Sequence, residues 1–89
     1  MEKIRVIDFS ATWCGPCRMQ KPIMDEIEKE YSDRVEVVLV DIDESREMTQ
    51  QYGIQAVPTI VIEVEGDEVA RFQGVTSKDR IMNEVKKYE

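Results

Sequence analysis

Apolar and polar positions change period several times along the chain. Ile4–Ser10 is a short β-branched run that predicts a strand, with Arg5 and Asp8 as its charged positions. Asp8 stands between Ile7 and Phe9, so burying that strand places a carboxylate inside. From Cys14 to about Tyr31 the pattern becomes helical, with Met19, Ile23, Ile27 and Tyr31 as the expected apolar stripe. Pro16 suits the first helical turn, where a missing N–H is no loss, whereas Pro22 inside the pattern predicts a kink. Val35–Asp41 is nearly all apolar, as expected of a buried parallel strand. Ser45 is placed to cap a short helix reaching about Tyr52, which Gly53 closes. Thr59–Val64 and Glu68–Gln73 read as two strands around Glu65-Gly66-Asp67, a hairpin signal. The last helix opens at Ser77 and buries Ile81, Met82, Val85 and Tyr88. The methionines at 19, 24, 48 and 82 are expected to fill the core.

The resulting order, β-α-β-α-β-β-α, belongs to the α/β class. A helix joins the first two strands, which should be parallel, and the last pair should be an antiparallel hairpin. The expected architecture is a mixed four-stranded sheet flanked by three helices. With 89 residues, no repeats and no linkers, residues 1–89 are expected to form a single domain.

Composition narrows the function classes. Twelve basic residues are scattered among 19 acidic ones, for a net charge of −7. A phosphate backbone recruits clustered Lys and Arg, so no nucleic-acid partner is expected. The longest apolar runs, such as Val37-Val38-Leu39-Val40, fall far short of the roughly 20 residues needed to cross a bilayer. Met1-Glu2-Lys3-Ile4-Arg5 lacks the apolar core of a secretory signal. A cytoplasmic protein without membrane contact is expected.

The chain has two cysteines and no histidine, which removes the usual general base and the commonest metal ligand. Cys14 and Cys17 are three positions apart at a predicted helix start. There, unpaired backbone N–H groups and the helix dipole stabilise a thiolate on Cys14. Cys17, one turn further in and less exposed, is close enough to bridge, so the pair can cycle between dithiol and disulfide. The spacing also permits half of a zinc site or a structural bridge. Zinc needs four N or S ligands, which only a dimer sharing two cysteine pairs would supply, so no metal is expected. A bridge closing so small a loop constrains little of the unfolded chain.

Trp13-Cys14-Gly15-Pro16-Cys17 is identical to the active-site motif of thioredoxins, and the resemblance extends over essentially the whole chain. Val6-Ile7-Asp8-Phe9 resembles that family's strand with its buried aspartate. Pro22 to Ile27, Val40 to Asp43, Tyr52-Gly53-Ile54, Val57-Pro58-Thr59, Gly66 and Gly74 follow in the family's order. The resemblance implies a thioredoxin fold lacking the first strand and helix, similar to the short, glutaredoxin-sized thioredoxins of archaea. Ser10 stands where an aromatic is common, and Leu39 where many members carry a lysine near the aspartate.

By the same resemblance, Cys14 is the attacking thiol and Cys17 the resolving one. Asp8 lies beneath them and exchanges the proton of Cys17 through water; burial should raise its pKa. Pro58 is the cis-proline facing the cysteines, and its turn presents the backbone of Val57 to an extended peptide. Trp13, Gly15, Pro16, Val57, Gly74 and Val75 form the docking surface. The implied function is reduction of disulfides in client proteins by a monomer that needs no bound cofactor and is recharged by a thioredoxin reductase. A glutathione-using, glutaredoxin-like enzyme and a non-catalytic binding module are the competing readings. Gly15-Pro16, the acidic charge and the intact cysteine pair speak against them.

Overall fold

In the computed structural model, which describes residues 3–89, the sheet is built around strand β1 (Ile4–Ser10). Met1 and Glu2, the start of the segment expected to lack a secretory signal, lie outside the described residues. Helix α1 (Gly15–Tyr31), strand β2 (Glu36–Asp41), helix α2 (Arg46–Gln51), strands β3 (Thr59–Val64) and β4 (Asp67–Gln73) and helix α3 (Lys78–Val85) follow. A single 3₁₀ turn, Lys86–Tyr88, comes after α3. The strand order is β2-β1-β3-β4. β1 pairs in parallel with β2 and antiparallel with β3, and β3 pairs antiparallel with β4. This is the mixed sheet that the element order predicts.

Strand periodicity sorts the core into two layers. Ile4 and Val6 of β1 point with Ile60 and Ile62 toward Met24 and Ile27 of α1 and Ile81, Met82 and Val85 of α3. Ile7 and Phe9 take the other face with Val40 and Val61, and Met48 and Tyr52 of the α2 region pack against them. β1 is apolar on both faces because helices cover both, whereas β4 at the edge carries no fully buried residue.

Several local expectations change. β2 is parallel to β1 as expected but is not buried: it lies at the sheet edge, begins at Glu36 rather than Val35, and leaves Leu39 47% exposed. Its run of apolar residues reflects contact with only part of each helical layer. The stripe of α1 is displaced: its buried residues are Cys17, Gln20, Met24 and Ile27, while Met19 is 66% exposed. Ile23 and Tyr31 only flank the core, so of the four methionines Met24 and Met82 are core, Met48 is peripheral and Met19 lies outside it. The polar Gln20 on the inward line is what makes a purely apolar pattern point to the wrong face. Pro22 is exposed and α1 runs through it as one element.

The helix ends explain where each element stops. Ser45 precedes α2 without a side-chain capping bond; its carbonyl instead accepts both the N–H and the O–H of Thr49. At the far end Gly53 N–H donates to Gln50 O and Ile54 N–H to Thr49 O, with Gly53 at φ +62°. That pairing is the common glycine-terminated helix end. Ser77 caps α3 by accepting from Arg80 N–H at 3.2 Å. The hairpin turn is tighter than expected: Glu65 and Gly66 both have positive φ, and β4 begins at Asp67.

Candidate active site

β1 ends at Ser10 and the chain turns through Ala11, Thr12 and Trp13 into α1, with Cys14 N–H donating to Ala11 O at 3.2 Å. Cys14 is the N-cap of α1, in extended backbone (φ −94°, ψ 113°), so the helix starts one residue later than expected. Its Sγ accepts the N–H of Cys17 at 3.2 Å, the place a capping oxygen normally takes. A thiolate there meets an unpaired helix N–H and the positive end of the peptide dipoles. Pro16, in the first turn, withholds no N–H that the helix needs.

Cys14 and Cys17 are joined as a disulfide, with Cα atoms 5.3 Å apart. Both are 5% exposed, so the expected difference in exposure between them is absent in this oxidised form. Ala11, Ile42 and Val57 pack around the bridge. The Val57–Pro58 peptide bond is cis, Pro58 is buried, and the Val57 carbonyl oxygen lies 3.7 Å from Cys14 Sγ. Pro58 O accepts the N–H of Gly74 at 2.8 Å, which draws the loop after β4 to the same place. Gly74 has φ +87°, a conformation that a side chain would strain.

Around this buried centre the surface is apolar and open. Trp13 is 65% exposed and Val75 42% exposed, and Gly15 and Pro16 are exposed as well. Beside them a shallow cavity of about 300 Å³ is lined by Trp13, Ile42, Ile54, Gln55, Ala56 and Val57. Trp13 donates its indole N–H to Asp43 Oδ2 at 2.9 Å.

Asp8 is 2% exposed, and its Oδ1 has no hydrogen-bond partner. It follows Val6 on the face of the sheet that α1 covers and pairs across with Leu39 and Ile60. Burial pushes its pKa up from 3.8 to about 6, against a smaller opposing pull from the Lys21 ammonium of α1. A buried carboxyl that titrates near neutrality can take up or release a proton there.

The structure thus gathers Trp13, Cys14, Gly15, Pro16, Cys17, Val57, Pro58, Gly74 and Val75 at one end of the sheet, with Asp8 inside β1. The sequence reading missed three residues of this region. Asp43 holds Trp13, and Gln20 and Thr76 bond to each other beside the Gly74 loop. The available signal was Gln20 itself, a polar residue three positions past Cys17 and four before Met24.

The family model described as Thioredoxin matches residues 1–87. The chain belongs to the thioredoxin family. It is 43% identical to thioredoxin 1 of Synechococcus elongatus over 83 residues, covering 93% of this chain and 78% of that one. It is 33% identical to the thioredoxin of Bacillus subtilis over 87 residues, covering 98% and 84%. Among solved structures, thioredoxin NaTrxh of Nicotiana alata superposes with a TM-score of 0.90 at 38% identity, covering 100% of this chain and 76% of that one. Thioredoxin-2 of the malaria parasite gives 0.91 at 28% identity, covering 97% and 84%. As a member of the thioredoxin family with its two cysteines at bridging distance, the protein is a thiol–disulfide oxidoreductase.

Proposed function

We propose that this thioredoxin-family protein is a dithiol electron carrier that reduces disulfides in cytoplasmic client proteins. The Cys14 thiolate attacks one sulfur of a client disulfide and displaces the other as a client thiolate, forming a mixed disulfide. The Cys17 thiolate then attacks the Cys14 sulfur, releasing the second client thiol and leaving the Cys14–Cys17 bridge. Two electrons pass to the client. Asp8 takes the proton of Cys17 through water, which its raised pKa suits. Trp13, Gly15, Pro16, Val57, Pro58, Gly74 and Val75 form the surface on which the client chain docks, and the cis-proline turn presents the backbone of Val57 to an extended peptide. A thioredoxin reductase returns the bridge to the dithiol. The protein acts as a single-domain monomer, with the cysteine pair as its only redox group.

The observation that carries this reading is Cys14 in the capping position of α1, its sulfur accepting the Cys17 N–H. That arrangement favours a thiolate on the first cysteine over the second. Insulin disulfide reduction with dithiothreitol as electron source tests it. The protein should accelerate the reaction, Cys14→Ser should abolish the acceleration, and Cys17→Ser should accumulate mixed disulfides. No acceleration, or full acceleration by Cys14→Ser, would overturn the reading.

A further inference from the structure

Gln20 is a polar side chain with no exposed surface, on the helix that carries both cysteines. Its Oε1 accepts Thr76 N–H at 2.7 Å and its Nε2 donates to Thr76 O at 3.0 Å, so the amide pairs with that residue as a neighbouring strand would. Nε2 also lies 3.5 Å from Met24 Sδ. Thr76 is itself 1% exposed, and its hydroxyl donates to Gly74 O at 2.9 Å. Gly74 N–H in turn donates to Pro58 O at 2.8 Å. The loop after β4 is therefore pinned twice, to the cis-proline turn at Gly74 and to α1 at Thr76. Exposed Val75 lies between the two pins.

We infer that Gln20 is a positioning residue for client docking, holding the Gly74–Thr76 loop in register with the cysteine helix and the Val57–Pro58 turn. Before a client arrives, the Gly74–Pro58 bond fixes the backbone just before Val75, and the two Gln20 bonds fix it just after. Without them the loop must be ordered at the moment of docking, and that cost appears as weaker binding. The chemistry of the cysteines does not pass through Gln20, whose hydrogen bonds go to Thr76 and Met24 and not to either sulfur. The inference rests on the proposed docking role of Gly74 and Val75.

Three measurements test it. In the wild-type protein the Thr76 backbone N–H should exchange with solvent as slowly as a strand amide; exchange at the rate of an open loop overturns the inference. Gln20→Met keeps the length and removes both bonds. It should raise the apparent KM for insulin, at fixed dithiothreitol, about five- to ten-fold, the usual worth of one or two hydrogen bonds. The kcat should stay within about twofold and the potential of the Cys14–Cys17 pair should not move. An unchanged KM, a loss confined to kcat, or a shifted potential overturns the inference. Val75→Glu, on an exposed side chain, separates the two levels of the argument. If it raises KM while Gln20→Met does not, Gln20 alone loses its role; if Val75→Glu leaves KM unchanged, the docking surface fails and the inference fails with it.

Discussion

Trp13 donates its indole N–H to Asp43 Oδ2 at 2.9 Å, although most of its ring is exposed. The bond holds the residue before Cys14 against the segment that follows β2. That segment is ordered in its own right, because Asp41 Oδ1 accepts the N–H groups of Asp43 and Glu44. An exposed aromatic ring held in one orientation presents contact area at low entropic cost.

Removing the Asp43 carboxylate should therefore affect recognition more than stability. Asp43→Ala is expected to cost less than about 1 kcal/mol of folding free energy, as an exposed hydrogen bond does. It should lower the kcat/KM for insulin by about two- to fivefold, in line with one lost positioning bond, and Asp43→Asn, which keeps an acceptor, should recover most of it. Trp13 is the only tryptophan, so its emission reads the ring's surroundings directly. An unchanged emission spectrum in Asp43→Ala would show that the bond does not hold the ring.

Asp8 makes stability depend on pH with a defined sign. Its carboxyl titrates near 3.8 when solvated and at about 6 in the folded protein. Between those values the folded state holds a proton that the unfolded state has released, so stability falls as pH rises through that window and levels off above it. Asp8→Asn removes the penalty. In urea denaturation it should be about 2–3 kcal/mol more stable than wild type at pH 7, with the difference shrinking toward zero at pH 4. The same variant should reduce insulin more slowly at pH 7, because the group that takes the Cys17 proton is gone. Equal stability of the two proteins at pH 7 would remove the buried-carboxylate account.

Glu63 anchors a second buried polar cluster toward the other end of β1. Its side chain is only 5% exposed, accepts from Arg5 Nη1 at 3.3 Å, and takes a hydrogen bond from the Tyr52 hydroxyl. Tyr52 O in turn accepts from Arg71 Nη2 at 2.6 Å, which ties the end of α2 to β4. Glu63→Ala leaves the Arg5 guanidinium, whose Nε makes no hydrogen bond and lies 3.7 Å from the exposed Glu36 carboxylate, without its best-buried counter-charge. The expected loss is about 3 kcal/mol, against about 1 for Glu63→Gln, measured by urea denaturation. Because the cluster is remote from Cys14, insulin reduction by the folded variants should stay within about twofold of wild type; a larger change would show that the cluster reaches the cysteines.

Much of this protein is written in local order. The β-branched runs, the cap at Ser77, the glycine that closes α2 and the Glu65-Gly66 turn each act over a few residues. They therefore appear in the sequence as strands, helices and turns in nearly the right places. The cysteine pair was legible for the same reason, since a helix start and a three-residue spacing are local features.

The chain order could not say which strand would sit at the edge, and β2 looked buried because its side chains are apolar whichever strand neighbours it. Nor could the period of α1 reveal its true inward face, because Gln20 is buried by a partner 56 positions away. The links from Trp13 to Asp43, from Gly74 to Pro58 and from Gln20 to Thr76 all join residues brought together by the sheet. A buried polar group is stable only when its partner is present, and the partner's place is a property of the fold. The sequence by itself therefore determined the elements and the reactive pair. The tertiary structure decided which polar residues could be buried and what surrounds the sulfurs.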